Sequence, residues 1–262
     1  MSLASRYVLG VRVDATSYED ASRRVMRWAR HERSAYVCMA TVHTTMEAYD
    51  SAAFRQVVNE ADLVTPDGRP LVWVLKSLGV KGPSQVRGTD FMMHLVEQAA
   101  HESVPIGLFG GTPELLETLV RILRARYPKI RVVCQIAPPF RSLTPEEDEA
   151  VTSEIAGSGA RILFVGIGCP KQERWMAAHE GRIPAVMLGV GAAFDFHTGR
   201  VRQAPRWMQV AGLEWAFRLL VNPRRLWKRY VKHNPRFMWF FLMQLLGSRR
   251  SGENRGRDNS KA

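Results

Sequence analysis

The sequence predicts an α/β protein with a Rossmann-like parallel sheet, helices on both faces of the sheet, and a basic helical appendage at the C-terminal end. Three observations predict this fold. Apolar segments alternate with amphipathic ones through the second half of the chain, which is the pattern of a doubly wound parallel sheet. These apolar segments run into turns rich in glycine or proline. The length of 262 residues, 46% of them hydrophobic, suits one large domain or two small ones.

The first half of the chain begins with residues 6–13, whose alternating apolar and polar side chains predict a strand. Thr16 and Glu19 predict a capping box ahead of an amphipathic helix that extends to about Arg30. A short apolar strand follows at 36–40. Further helices are predicted after the polar cluster at 41–45, and over 52–59, 70–78 and 88–101.

The turn at 66–68 stands out because Pro66 and Gly68 bracket Asp67 and bend the chain where the carboxylate lies. The loop after a parallel strand is where α/β proteins place their binding and catalytic groups. Asp67 is therefore a candidate catalytic residue. The alternative is that Asp67 only caps the helix that starts near Arg69.

The second half of the chain has a regular order of strands and helices. Thr144 and Pro145 are a favourable cap and first residue for one of these helices. Right-handed crossovers would bring the turns after the strands to one edge of the sheet, where ligands bind. The predicted strands are 105–109, 130–136, 162–166 and 185–188.

Gly110, Gly111 and Thr112 join a strand to a helix and are a candidate phosphate-binding turn. Glycine lets the backbone approach a ligand, and the helix N-terminus favours negative charge. The dinucleotide fingerprint G-x-G-x-x-G and the P-loop are both absent from the sequence. Glycines that serve packing alone are the alternative.

Gly168, Pro170, Lys171 and Gln172 form a second candidate turn for a negatively charged donor. Lys171 falls in the first turn of a helix, where a positive side chain opposes the helix dipole, so a bound anion would compensate it. The alternative is a solvated lysine.

Asp195 ends a run of small residues that begins at Gly189. The small residues leave room for a ligand, and the Asp195 carboxylate could accept hydrogen bonds from sugar hydroxyls. A helix cap is the alternative.

Metal-binding patterns are weak in this sequence. It contains no D-x-D pair and no His, Cys and Asp cluster with metal-ligand spacing. His43 alone is a weak metal candidate, because a lone histidine is more often a structural group.

The net positive charge lies in the C-terminal part of the chain. Residues 200–262 carry fifteen Lys and Arg against three acidic residues, which accounts for the whole formal net charge of +12. A neutral domain with a basic extension predicts a polyanionic partner, either nucleic acid or an anionic membrane surface.

The basic and aromatic stretch at 224–246 favours the membrane over nucleic acid, because residues 237–246 are almost all apolar. A helix that packs on the domain, or on another subunit of a homo-oligomer, is the alternative. Another amphipathic helix is predicted over 207–220. We expect a catalytic core at 1–199, a membrane-docking appendage at 200–247 and a disordered tail at 248–262.

The location is predicted from the cysteines and the apolar segments. Cys38, Cys134 and Cys169 form no close pair, which suggests reduced thiols in a cytoplasmic protein. The first residues lack a signal-peptide pattern, and no run is long and apolar enough for a membrane span. We expect a peripheral protein on the inner face of the cell membrane.

Five segments, in this order along the chain, resemble the WecG/TagA/CpsF glycosyltransferases, which are glycosyltransferase family 26. The resemblance extends from about Arg6 to Gln244. The segments are 62–68 (DLVTPDG), 168–175 (GCPKQERW), 189–195 (GVGAAFD), 202–208 (RQAPRWM) and 212–215 (GLEW).

The resemblance implies a hexosyltransferase that moves a sugar from a UDP-sugar to a polyprenyl-diphosphate-linked saccharide, with inversion and with no cofactor or required metal. Family members take part in the synthesis of teichoic acid linkage units, enterobacterial common antigen, capsule or exopolysaccharide. The transferred sugar would be N-acetylmannosamine, its uronic acid, glucose or a similar sugar. The alternative is a basic, non-enzymatic α/β protein that binds nucleic acid or a membrane.

The family motifs also imply roles for individual residues. Asp67 matches the proposed base and Thr41 the threonine that assists it. Arg218, Arg225 and Arg229 match the arginines of the membrane-docking segment, which complete the site around the diphosphate. Several family members have Pro-Asn after the threonine, whereas this chain has Val-His at 42–43. His43 is therefore a second candidate base, because histidine normally titrates nearer neutral pH than aspartate.

Overall fold

A computed structural model of the chain describes residues 3–258, with side chains described for residues 3–247 except Arg225. Over this range the protein forms a two-stranded hairpin and a six-stranded parallel sheet with helices on both faces. The predicted α/β class is confirmed. The strands are β1 (Ser5–Val8), β2 (Val11–Asp14), β3 (Ala35–Ala40), β4 (Leu63–Pro66), β5 (Ile106–Gly110), β6 (Val132–Ile136), β7 (Ile162–Gly166) and β8 (Val186–Gly189). The helices are α1 (Tyr18–Arg30), α2 (Val42–Asp50), α3 (Ala52–Glu60), α4 (Arg69–Ser77), α5 (Gly88–Glu102), α6 (Pro113–Arg126), α7 (Pro145–Gly157), α8 (Lys171–His179), α9 (Ala193–His197), α10 (Arg206–Val210), α11 (Glu214–Val221) and α12 (Pro223–Asp258).

The strand order of the sheet is β4-β3-β8-β7-β5-β6, and every neighbouring pair is parallel. The carboxyl ends of all six strands therefore lie at one edge of the sheet. The turns after β4, β3, β8 and β7 are consecutive neighbours along that edge. The turns after β5 and β6 lie on the far side of β7.

Both faces of the sheet are buried, as a parallel sheet requires. Strand β3 shows this directly, because all six of its residues are buried. Val37 and Met39 pack with α1, α5 and α6 in one apolar cluster, whereas Tyr36 and Cys38 pack with α2, α3, α8 and α12 in the other. The period of two places successive side chains on opposite faces.

The N-terminal segment is a hairpin, so the predicted single strand at 6–13 is wrong. Leu9 and Gly10 both have positive φ, at 51° and 83°, and form the tight turn between β1 and β2. Two positive φ values in succession match the twist of an antiparallel pair. The predicted cap of α1 is also wrong by one residue, because the Ser17 side chain, not Thr16, accepts the Asp20 N–H.

The cap predicted for α7 is confirmed. The Thr144 hydroxyl accepts the Glu147 N–H, and the Glu147 carboxylate accepts the Thr144 N–H. Pro145 is the first residue of this helix. Both first-turn N–H groups are therefore satisfied locally.

The single helix predicted over 207–220 is two helices, α10 and α11, which are joined at Gly212. Gly212 has a φ of 73°, and a Cβ atom there would lie 2.7 Å from the Trp73 ring. A positive φ and a close approach together require glycine. The turn brings the backbone of Gly212 against the Trp73 ring of α4.

Helix α12 packs its inner face on the core. Phe237 and Phe241 are buried, and Arg236 donates to the Asp50 carboxylate at 2.6 and 2.9 Å. The Gln244 amide bonds the backbone of Tyr7 and Leu9 at 2.8 Å each. The alternative of a helix packed on the domain is thus correct for this face.

The boundaries predicted at 199 and 247 stay predictions. Helix α12 continues to Asp258, past the predicted start of the tail at 248, and residues 259–262 of that tail lie outside the described residues. Among the helices of the described part of the chain, none has the length and apolar character needed to cross a membrane.

Candidate functional site

A cavity of about 860 Å³ lies at the carboxyl edge of the sheet, under the C-terminal helices. Its floor comes from the turns after four neighbouring strands, β4, β3, β8 and β7. Its roof comes from α11, α12 and the turn that contains Gly212. The residues that line this cavity include Thr41, His43, Asp67, Gly168, Gln172, Glu173, Gln209, Glu214, Trp215, Arg218, Arg229, Tyr230 and His233.

Asp67 is half-buried in this cavity, one residue beyond β4. Its backbone N–H donates to the Ala40 carbonyl at 2.9 Å, which ties the turn to β3. Helix α4 has Gly68 at its N-cap and no side-chain cap. Asp67 therefore does not cap α4, and the structural alternative for this residue is wrong.

The surroundings of Asp67 weaken its acidity. Burial and, next, the neighbouring carboxylate of Glu214 raise its pKa to about 6. Arg218, Arg87 and the Gly88 N–H act in the opposite direction. A carboxylate with this pKa is ionised at neutral pH and is a stronger base than an ordinary aspartate.

Thr41 and His43 follow β3, next to Asp67. The Thr41 hydroxyl caps α2 by accepting the Thr44 N–H at 3.1 Å. Burial, together with the nearby Arg229, His233 and Lys232, lowers the pKa of His43 to about 3. The expected order of the two candidate bases is thus reversed, because Asp67 titrates nearer neutral pH than His43.

Gln172 and Glu173 form a buried polar group at the start of α8. The Gln172 amide accepts the Gly168 N–H at 3.2 Å and donates to the Gly189 carbonyl at 3.0 Å and to Glu173 at 2.9 Å. Gln172 therefore joins the turns after β7 and β8. Burial raises the pKa of Glu173, and its Oε2 has no hydrogen-bond partner among the described residues.

Arg87 joins the core to the roof of the cavity. Its guanidinium is buried and pairs with Asp90 at 3.1 Å and with Glu214 of α11 at 3.3 Å. It also donates to the Gln209 side chain in α10. A buried arginine that is shared among these groups holds α10 and α11 over the site.

Two of the three predicted arginines face the cavity. Arg218 pairs with Glu214 at 2.6 Å and lies 4.8 Å over the Phe196 ring. Arg229 lies 5.2 Å over the Tyr230 ring, and its Nε is buried with no hydrogen-bond partner in the described structure. Arg225 lies in α12, but its side chain is outside the described residues.

Of the predicted donor-binding residues, Gly168 and Gln172 line the cavity and the others do not. The glycine turn follows β5, on the far side of β7, where a Cβ on Gly110 would meet Gly166 at 2.6 Å and Thr112 caps α6. Close packing alone thus explains the glycine at position 110. It also explains Gly111, because a Cβ atom there would approach the Leu115 side chain too closely. Their role in donor binding stays a prediction.

The remaining donor candidates also lie outside the lining. Pro170 immediately precedes α8 and Lys171 is exposed at its start. Asp195 lies within α9, whose N-cap is Ala192, so the alternative that Asp195 caps this helix is wrong. Its backbone carbonyl accepts the Val201 N–H at 3.1 Å. Roles for these three residues in donor binding stay predictions.

The sequence analysis missed the cavity residues Glu173, Glu214 and His233, and it missed Arg87, which holds Glu214 and Gln209 in place. Glu173 and Glu214 belong to segments that carry the family resemblance, which was the available signal. Arg87 and His233 gave none, because their importance depends on contacts more than a hundred residues distant in sequence.

A family model, the glycosyl transferase WecG/TagA/CpsF family, matches residues 6–251. The match extends over nearly the whole chain, so this protein belongs to that family. Membership of this family implies that the protein is a glycosyltransferase in cell-surface polysaccharide biosynthesis.

Proposed function

We propose that this family member transfers a sugar from a UDP-sugar to a polyprenyl-diphosphate-linked saccharide, with inversion at the anomeric carbon and with Asp67 as the general base. The single observation that supports this most is the position of the Asp67 carboxylate. It lies in a large cavity between the sheet edge and helices that carry arginines, and its pKa is raised to about 6.

The transfer needs two functions on opposite sides of the anomeric carbon. The base takes the proton of the acceptor hydroxyl as its oxygen bonds to that carbon. The bond from the carbon to the UDP oxygen breaks, and the electron pair leaves with the diphosphate. Because attack and departure occur on opposite faces, the configuration inverts.

Arg218 and Arg229 would stabilise the diphosphate groups. Both guanidinium groups face the cavity, and a fixed cation in an enclosed site stabilises developing negative charge more strongly than water does. The unpartnered Nε of Arg229 is a hydrogen-bond donor still to be satisfied. We assign Arg225 to the same function on the family resemblance alone.

A lipid-linked acceptor explains the outer surface of the C-terminal helices. Met238, Trp239, Leu242, Met243 and Leu246 are each about half exposed or more on α12. An apolar face next to many basic side chains suits the inner surface of an anionic membrane. The protein would dock there peripherally and receive the acceptor at the membrane.

The test is acceptor-dependent UDP release by the wild-type protein and by Asp67→Asn. We expect turnover to fall by about 10²–10⁴-fold in the variant, because the amide cannot take the proton. The Gly88 N–H can still donate to an amide oxygen, so the fold should be kept.

Thermal unfolding serves as the control for this variant. The raised pKa of Asp67 means that ionisation costs stability as the pH rises from about 4 to above 6. Asp67→Asn removes that cost and should unfold at the same or a higher temperature at neutral pH. Near wild-type turnover in a folded variant would refute the role of Asp67.

A further inference from the structure

Three metal-ligand side chains meet at the edge of the cavity, between α2 and α12. His43 and Glu47 are one turn apart on α2 and share a face, and His233 reaches them from α12. One donor atom from each lies within 4.8 Å of the other two. The Glu47 carboxylate is 3.9 Å from His43 Nδ1 and 3.3 Å from His233 Nε2.

The hydrogen bonding of this cluster is incomplete. His233 is only 3% exposed, and the Nδ1 atoms of both histidines are buried with no partner in the described structure. Buried polar atoms are nearly always satisfied, so His43 Nδ1, which lies 3.9 Å from the Glu47 carboxylate, indicates a missing partner in the cluster. The nitrogen of His233 that approaches Glu47 is Nε2, the other atom of its ring. The burial of His43 and His233 favours the neutral imidazole, which is the form that binds a metal.

We propose that His43, Glu47 and His233 bind a divalent transition-metal ion of the zinc class, which joins α12 to α2. Two imidazole nitrogens and one carboxylate suit zinc, whereas magnesium and calcium prefer oxygen ligands alone. Zinc bonds of about 2.0–2.1 Å place neighbouring ligands roughly 3.3 Å apart. The separations of 3.3 and 3.9 Å need only a small adjustment to reach this geometry.

Three protein ligands leave one coordination position open. His43 and His233 line the cavity, so the open position faces it and would hold water or an oxygen of a bound ligand. The charges around the site are mixed. Arg229 and Lys232 oppose a bound cation, and the carboxylates of Glu47 and Asp50 favour it.

The ion would position α12 over the site. Arg229 lies one turn before His233 on this helix, and both residues line the cavity. A metal bond at His233 therefore fixes the position of Arg229 relative to the cavity. This inference does not depend on the proposed reaction, because no step of the transfer is routed through the metal.

The test measures zinc binding directly on the full-length, tag-free protein after treatment with a chelator. We expect one zinc ion per chain by calorimetry and metal analysis. We also expect a rise in unfolding temperature that depends on zinc concentration, and visible absorption of four-coordinate cobalt when cobalt is added instead. His43→Gln, Glu47→Gln and His233→Gln should each weaken zinc binding by about tenfold or more, since even the loss of an outer partner costs 10–100-fold.

Two matched variants provide the control. Tyr49→Leu removes a ring contact with Phe240 between the same two helices, and His101→Gln removes an exposed imidazole on α5. Both should bind zinc like the wild type. Absence of zinc binding by the wild type would overturn the proposal, as would equal binding by the three ligand variants or equal loss in the controls. None of these measurements uses turnover, so they are separate from the test of the reaction.

Discussion

At the scale of single residues, Asp67 is distinguished by its surroundings and not by its own chemistry. Burial and the carboxylate of Glu214 raise its pKa, while Arg87 and Arg218 keep the ionised form accessible. His43, two residues after Thr41, experiences the opposite balance, because burial and cations both lower its basicity. The environment therefore gives Asp67 a higher pKa than His43, whereas the residue types alone would give histidine the higher value.

The pKa of Asp67 predicts the pH dependence of the reaction. A base must be deprotonated, so kcat/KM should rise with pH, about tenfold per unit below pH 6, and level off above it. Initial rates of UDP release across pH 4.5–8, at acceptor concentrations well below KM, would measure this. A midpoint near pH 4, or a profile that Asp67→Glu leaves unshifted, would contradict the assignment.

At the scale of elements, the site is completed by helices that come last in the chain. The pairs Arg87–Glu214 and Arg236–Asp50 fix α11 and α12 to the core. Each pair has a partly or fully buried member, where removal of one partner is costly. These contacts place the arginines that line the cavity, so the roof belongs to the proposed active site and is not only an attachment to the core.

Arg229→Gln tests the contribution of this roof to the reaction. Removing one preorganised cation from the diphosphate should lower kcat by about 10²–10³-fold without unfolding the protein. The matched control is Lys228→Gln, because Lys228 is the preceding residue and is exposed. Equal losses in the two variants would indicate a general effect of charge instead of a contact in the site.

At the scale of the whole molecule, one side of the C-terminal region packs on the core and the other is exposed and apolar. Deleting residues 222–262 would remove the buried Phe237 and Phe241 and uncover the core residues that they cover. The truncation therefore does not separate membrane binding from folding. Substitutions on the exposed face of the C-terminal helices separate membrane binding from folding.

Trp239→Gln combined with Leu242→Gln tests membrane docking. Both side chains are exposed, and each contributes about 1.5 kcal/mol or more if it is buried in lipid. Binding to anionic vesicles should fall by about tenfold or more while the unfolding temperature is kept. Phe140→Gln is the control, because Phe140 is 87% exposed and lies outside these helices. Unchanged vesicle binding in the double variant would exclude this face as the docking surface.

The sequence by itself determined the α/β class, the edge of the sheet that carries the site, and the candidates Thr41, Asp67 and Gln172. The class, the edge, Asp67 and Gln172 follow from local signals, because apolar periodicity and turn residues depend on neighbours along the chain. Thr41 came from the family resemblance. Only the tertiary structure decided which turns share a cavity. The strand order places the turn after β5 on the far side of β7, so the glycines at 110–111 lie outside the lining although their local pattern suits a phosphate. Tertiary structure also decided the pairing of Arg87 with Glu214 and of His43 with His233, because the partners lie in segments that are distant in sequence. The lowered pKa of His43 arises from its burial between these segments.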